Sequence, residues 1–168
     1  MANKRYPGTG RFCAVLAVAL LASCSEIKRA ETMETNTLNI TLQVVQQGTA
    51  LYGQLRFTNV GKEPFPLERS LSGEEIPAGR QLFRVMNEKG EELAYAGPAE
   101  KRSAPVYPDD YVTLQPGAEL LTVYPFDKEY GFHSRSQSYK MQFDVINALP
   151  EDKGLAFLKS NVVAFTYP

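Results

Sequence analysis

Few side chains in this 168-residue sequence could do chemistry. There is one histidine, His133, and there are two cysteines, Cys13 and Cys24. A zinc site needs three or four convergent ligands, commonly two histidines or several cysteines. Nucleophilic catalysis needs a serine or cysteine beside a base such as histidine. His133 follows Gly131-Phe132 in a polar stretch, so we interpret it as an exposed turn residue. The sequence predicts no catalytic residue, no metal site and no cofactor.

The first 23 residues have the order of an export signal. Met1–Arg11 is basic, and Phe12–Ala22 is an apolar run of eleven residues. A run of this length is typical of a signal peptide, because spanning a bilayer takes about 20 residues. We therefore predict that residues 1–23 are a signal peptide.

The end of this segment, Leu21-Ala22-Ser23-Cys24, resembles the lipobox of bacterial lipoproteins. The resemblance implies that acyl chains such as palmitate are attached to the thiol of Cys24 and that cleavage makes Cys24 the first residue. Several acyl chains would anchor the protein stably in a membrane. Ser25 in the next position implies the outer membrane of the cell envelope, facing the periplasm or the cell surface. The alternative is an ordinary secretory signal with an incidental cysteine.

Charge and cysteine content exclude further properties of the mature protein. Once the three basic residues of the signal are removed, 15 basic and 19 acidic residues remain, a net charge of −4. This balance argues against nucleic acid as a partner, because phosphate neutralisation needs an excess of Lys and Arg. Cys24 would be the sole cysteine, so no intramolecular disulfide is expected.

The elements that must position any site are β-strands. Apolar and polar residues alternate from Leu38 onward, which is typical of half-buried strands. The pattern predicts eight strands: Leu38–Val44, Leu51–Thr58, Leu82–Met86, Glu92–Ala96, Tyr111–Leu114, Glu119–Phe126, Tyr139–Ile146 and Val162–Tyr167. We expect an all-β fold, an immunoglobulin-like antiparallel β-sandwich over residues 37–168. Residues 24–36 are predicted to be the lipidated cysteine and a flexible tether.

Two long stretches, 62–80 and 97–110, are predicted to be irregular. The segment 95–111 combines tyrosines, two adjacent cations and prolines, a composition that favours protein binding. The candidate partner-binding residues are Tyr95, Lys101, Arg102, Tyr107, Asp110 and Tyr111. A structural alternative, compatible with binding, is that Lys101 and Arg102 pair with Asp109 and Asp110 and so staple the loop.

An ordered series of motifs crosses the middle of the chain. It consists of Leu82-Phe83-Arg84-Val85, Gly90, Tyr95-Ala96-Gly97, Lys101-Arg102, Pro105, Asp110-Tyr111, Leu114, Pro116-Gly117 and Tyr130. The series resembles the N-terminal β-sandwich domain of deuterolysin-like, lysine-specific zinc metalloendopeptidases. Leu55–Asn59 and Ser160-Asn161-Val162 fit the flanking strands of that domain. The catalytic His-Glu-x-x-His helix of the family has no counterpart here, so the resemblance implies the companion domain without the enzyme.

These observations predict a lipid-anchored, non-catalytic module of the envelope. It would be held at the membrane by acylated Cys24 and would bind a protein or polymer partner. The resemblance implies one candidate partner, a metallopeptidase that the module would inhibit or protect. The alternative is a structural or assembly lipoprotein that acts as a spacer. An unrecognised hydrolase is the third class.

Overall fold

The computed structural model describes residues 32–34, 37–74, 79–101, 103–132 and 136–168. Cys24, Arg102 and His133 lie outside these residues, as do the signal peptide and most of the tether. Within the described part the strands are β1 (Thr32–Glu34), β2 (Leu38–Gln47), β3 (Ala50–Asn59), β4 (Phe65–Glu68), β5 (Phe83–Asn87), β6 (Tyr111–Leu114), β7 (Glu119–Pro125), β8 (Ser138–Ala148), β9 (Leu155–Lys159) and β10 (Val163–Thr166). A single 3₁₀ turn, Arg69–Leu71, follows β4.

One sheet of the sandwich has the order β2-β3-β7, and its neighbours are antiparallel. At one end of the sheet Thr58 lies opposite Glu119, and at the other end Tyr52 lies opposite Pro125. We call the first of these the Asn59 end, after the last residue of β3. The two ends carry different loops, which decides where the candidate residues meet.

The second sheet is built around the long strand β8. Strands β9 and β10 pair in succession with its C-terminal and N-terminal parts, and β5 pairs with the N-terminal part as well. Tyr139 and Met141 each pair with both β5 and β10, so these two strands lie on opposite sides of β8. The sheet orders β2-β3-β7 and β5-β8-β9/β10 match the A-B-E and C-F-G orders of immunoglobulin domains. The predicted all-β, immunoglobulin-like antiparallel sandwich is therefore confirmed.

The core lies between these two sheets because alternate residues of each strand point inward. Phe57 and Phe143 face each other across it, edge to face, with ring centroids 5.5 Å apart. Phe83 packs against Tyr124, Phe126 and Phe143. Its ring fits only because β3 has a glycine opposite it: a Cβ on Gly53 would lie 2.6 Å from the tip of the ring.

Asn161 joins the two sheets at one edge. Its side-chain amide accepts a hydrogen bond from the Leu42 N–H at 2.8 Å and donates one to the Leu42 carbonyl at 3.1 Å. The amide thus replaces a neighbouring strand for one residue of β2. The preceding residue, Ser160, accepts a hydrogen bond from the Phe143 N–H. These contacts account for the break between β9 and β10.

Strands β4 and β6 form a separate two-stranded ribbon. Side chains attach it to β8. Glu68, with a side chain 8% exposed, accepts hydrogen bonds from Arg80 at 3.1 Å and from the Ala148 N–H at 2.7 Å. The amide oxygen of Asn147 accepts from the Glu68 N–H, and its nitrogen donates to the Pro66 carbonyl. The network holds the ribbon against the second sheet.

Seven of the eight predicted strands lie within or overlap an observed one, and the differences have local causes. The strand predicted at Glu92–Ala96 is wrong, since Glu92 and Tyr95 make only isolated bridges. Strand β4 lies in a stretch predicted to be irregular. Pro66 made a strand there unexpected, since proline has no N–H to donate and is tolerated in strands only at an edge, which is where β4 lies. Strand β9 was not predicted. Strand β1 pairs with β9 in parallel, inside the range predicted to be tether.

Candidate functional site

Two adjoining clefts lie at the Asn59 end of the sandwich, one on each side of Tyr107. The cleft on the side of the Lys62–Pro66 turn, here the turn-side cleft, measures about 460 Å³. The cleft on the side of β9, here the β9-side cleft, measures about 410 Å³. Both are lined by Tyr107, Leu149, Pro150 and Glu151. They form one continuous candidate binding surface, since Tyr107 stands at their shared boundary.

The wall of the turn-side cleft is held by Asn59, which is fully buried. Its side-chain nitrogen donates to the Glu63 and Leu114 carbonyls, each at 2.8 Å, and its oxygen accepts from the Gly61 N–H at 2.9 Å. These bonds fix the chain between β3 and β4. Phe65 and Pro66 then present an apolar floor, and Thr37 lies beside Gly61.

The opposite wall is the hairpin loop between β8 and β9. Glu151 and Asp152 both have left-handed backbones, with φ of 58° and 55°. Two such residues in succession are typical of a type I′ turn, a conformation that glycine and asparagine adopt at lower cost. Lys153 donates to the Glu151 carboxylate at 2.7 Å. This contact lowers the pKa of Glu151 and raises the pKa of Lys153.

Tyr107 projects from a loop that is fastened at both sides. The Asp110 carboxylate accepts a hydrogen bond from the Val106 N–H at 2.7 Å. Arg69 donates to the Asp109 carbonyl and to the Tyr111 carbonyl, and it also pairs with Glu74. Tyr107 is 49% exposed although these contacts hold its loop.

The ring of Tyr111 packs against the ring of Tyr107. The two rings are tilted by 56° with centroids 5.8 Å apart. The Tyr111 hydroxyl donates to the Ala148 carbonyl at 3.1 Å. Burial, with a smaller contribution from Glu68 and Asp110, raises the pKa of Tyr111.

The structure separates the six predicted partner-binding residues. Tyr107 and Tyr111 line the β9-side cleft, and Asp110 fastens their loop. Lys101 lies in a different, polar cleft of about 400 Å³ that Asp110 also lines. Tyr95 is at the opposite end of the sandwich. Arg102 lies outside the described residues.

The predicted staple can be followed only in part, because Arg102 lies outside the described residues. Among the ion pairs between described residues, Lys101, Asp109 and Asp110 take part in none. Arg69, which the sequence analysis did not single out, fastens the loop as well. Its contacts tie the loop to the 3₁₀ turn after β4.

The opposite end carries a cleft of similar size beside Tyr95. Tyr95 packs edge to face on Tyr130 and donates to the Pro98 carbonyl. Nearby, burial and the charge of Asp127 raise the pKa of Glu129. Asp127 and Glu129 line a cleft of about 430 Å³ with Tyr52. This cleft is separate from the pair around Tyr107.

Sequence reasoning missed several residues of the candidate site. Asn59 and Asn147 sit at or near strand ends, where asparagine is typical of turns, and their burial cannot be seen in the sequence. Glu151 and Asp152 are exposed loop residues, and their position beside Tyr107 depends on the pairing of β8 with β9. The combination Pro-Glu-Asp-Lys-Gly is typical of a turn but does not indicate a cleft.

The described residues include neither a cluster of metal ligands nor a membrane-spanning helix. Among the residues that the structure describes, no three His, Cys, Asp or Glu side chains are placed to hold a metal ion. Over the same residues, no helix has the length and apolar character needed to cross a bilayer.

The fold and the clefts define a class: an immunoglobulin-like β-sandwich with two loop-lined clefts at one end. The sequence matches no family model and no curated protein. The function must therefore be argued from the chain's own residues.

Proposed function

We propose that this protein is a lipid-anchored, non-catalytic β-sandwich of the cell envelope that binds a protein or polymer partner through the clefts beside Tyr107. The observation that carries the proposal is a half-exposed tyrosine on a fastened loop, standing between two apolar-floored clefts. Tyrosine is enriched among residues that dominate binding energy, and a rigid loop loses little conformational entropy on binding.

Membrane anchoring at Cys24 would place the clefts near the bilayer. Thr37, which follows β1, lines the turn-side cleft. Twelve residues, 25–36, separate it from Cys24; they would reach about 40 Å if all were extended, and less here because Thr32–Glu34 pair with β9. A partner bound in the clefts would therefore lie close to the surface in which acylated Cys24 is held. The resemblance to the companion domain of lysine-specific metallopeptidases makes such a peptidase the first partner to test.

Replacing Tyr107 with alanine should weaken partner binding by about 1–2 kcal/mol or more, because interface tyrosines bury a large ring. Folding should be nearly unchanged, since half of the ring is exposed already. The chain from Ser25 to Pro168, which keeps every described residue, serves as bait for envelope extract. Affinity for the retained partner and melting temperature are measured on the same preparations.

The matched control is Leu121→Ala. Leu121 is 53% exposed on β7, opposite Arg56 and away from the clefts. The Leu121→Ala substitution should change neither the affinity for the partner nor the melting temperature. A fall in melting temperature at constant affinity for Tyr107→Ala would contradict the proposed site. Recovery of no partner in stoichiometric amount would favour the structural spacer instead.

Replacing Cys24 with serine should abolish lipid attachment, because a hydroxyl does not replace the thiol as acceptor. The full-length precursor is expressed with a labelled fatty acid, and acylation and processing are followed by mass spectrometry. Cys13→Ser is the control and should be labelled normally, since Cys13 lies in the part removed. Undiminished labelling of Cys24→Ser would reject Cys24 as the anchor.

A further inference from the structure

The two clefts differ in charge. The turn-side cleft is lined by Lys62 and Lys153 as well as by Glu63 and Glu151. The β9-side cleft is lined by two charged residues, Glu151 and Asp152, and both are acidic. Its other lining residues are apolar or aromatic apart from Gly154: Ala104, Pro105, Tyr107, Tyr111, Ala148, Leu149, Pro150 and Leu155. This cleft thus has an apolar floor and an acidic rim.

The two carboxylates of the rim are not equivalent. Glu151 is compensated by Lys153 at 2.7 Å. The Asp152 carboxylate has no ion pair or hydrogen bond to any side chain or backbone group in the described part of the chain. Asp152 is exposed, and its left-handed backbone at the tip of the hairpin turn fixes where its side chain leaves the chain. Among the described residues, the rim therefore holds one negative charge without an ion-pair partner.

The floor beneath that charge suits a long cationic side chain. Lysine and arginine bury their methylene stems on apolar surface while the charged head reaches a polar rim. The head is also attracted to aromatic faces within about 6 Å of the ring centroid. Tyr107, Tyr111 and the exposed side chain of Leu155 supply the apolar and aromatic surface, and Asp152 supplies the counter-charge.

The paired clefts suit an extended chain. In an extended segment, residues two apart are separated by about 6.5–7 Å and point to the same side. Such a segment crossing Tyr107 can place one side chain in each cleft. Anionic ligands are disfavoured on the β9 side because Asp152 leaves a net negative charge on its rim once Lys153 has compensated Glu151.

We propose that the β9-side cleft receives a lysine or arginine side chain from an extended segment of the partner polypeptide. This inference rests on the proposed function, which it deepens by assigning the chemistry of the bound residue. Asp152 sets the preference for a cation, and Tyr107 supplies the contact surface.

The test uses the chain from Ser25 to Pro168 and three capped peptides observed by NMR titration. The first is acetyl-Gly-Ser-Pro-Lys-Leu-Ser-Gly-amide, and in the others glutamate or norleucine replaces the lysine. The lysine peptide should shift the amide signals of Tyr107, Asp152 and Leu155 and bind more tightly than the norleucine peptide, by up to about fivefold, the upper end for an exposed charge pair. The glutamate peptide should bind more weakly still.

Asp152→Lys should remove this preference and favour the glutamate peptide. Asp127→Lys makes the same charge change in the cleft at the opposite end and should leave all three affinities unchanged. Equal affinity for the three peptides, or shifts that do not include the Asp152 loop, would overturn the proposal. So would a shift of the cleft signals in the free protein when Lys28 and Arg29 are both changed to serine, because the chain's own basic pair would then be the occupant.

The inference and the proposed function can fail separately. A captured partner whose affinity depends on Tyr107 but not on Asp152 would retain the binding site and reject the cation. Loss of affinity in both Tyr107→Ala and Asp152→Lys supports the two together.

Discussion

Replacing Asn147 with alanine should lower the free energy of unfolding by about 2–4 kcal/mol, because it leaves buried polar groups without partners. Asn147 is fully buried. Its oxygen accepts from the Glu68 N–H at 2.7 Å, and its nitrogen donates to the Pro66 and Ala148 carbonyls, each at 3.1 Å. The change removes all three bonds. Urea unfolding followed by circular dichroism measures the effect.

Asn39→Ala is the matched control for this substitution. Asn39 is exposed on β2 and makes no side-chain hydrogen bond in the described part of the chain. Its replacement should change the free energy of unfolding by less than about 0.5 kcal/mol. Equal effects for the two variants would show that the contacts between β4 and β8 do not stabilise the fold.

Replacing Phe83 with alanine should cost about 3–5 kcal/mol, because it leaves a cavity in the middle of the sandwich. Phe83 is 1% exposed. Its ring lies among Tyr124, Phe126 and Phe143 and fills the space left by Gly53. Few of these groups can move into the cavity, since Tyr124 and Phe143 lie on β7 and β8 and Phe126 directly follows β7.

Phe83→Leu provides the comparison, because it keeps an apolar side chain of intermediate volume. It should cost clearly less than the alanine change when both are measured by thermal and urea unfolding. A loss below about 1 kcal/mol for Phe83→Ala would be inconsistent with a packed site and would indicate that the neighbouring rings collapse inward.

The alternation of apolar residues was enough to predict the fold class and most strands. It worked where a strand has one buried face, as in β2 and β8. It failed for β4, because Pro66 interrupts the signal of a strand that pairs with only one neighbour. It also failed at Glu92–Ala96, where the spacing suits a strand but Tyr95 finds only a single bridging residue, Tyr130.

The candidate site was predictable only in part. The exposed ring of Tyr107 was found from composition, because aromatic residues in long loops favour binding. The opposite wall was not found, because it comes from the β8–β9 turn more than 40 positions later and reaches Tyr107 only through the strand order. Tyr95 was grouped with Tyr107 because the two are near in sequence, whereas the sheets carry them to opposite ends.

The ribbon of β4 and β6 has a consequence for local opening of the domain. Its strands have no ladder partner outside the ribbon, so detaching it would leave the ladders of both sheets intact. Phe65, Leu67 and Leu114 of the ribbon are nevertheless buried in the hydrophobic core. Opening would therefore expose core surface as well as break the hydrogen bonds to β8, and a segment with buried apolar contacts of this kind does not open at low free energy. The floor of the turn-side cleft belongs to the ribbon, so the shape of the site is tied to the stability of the core.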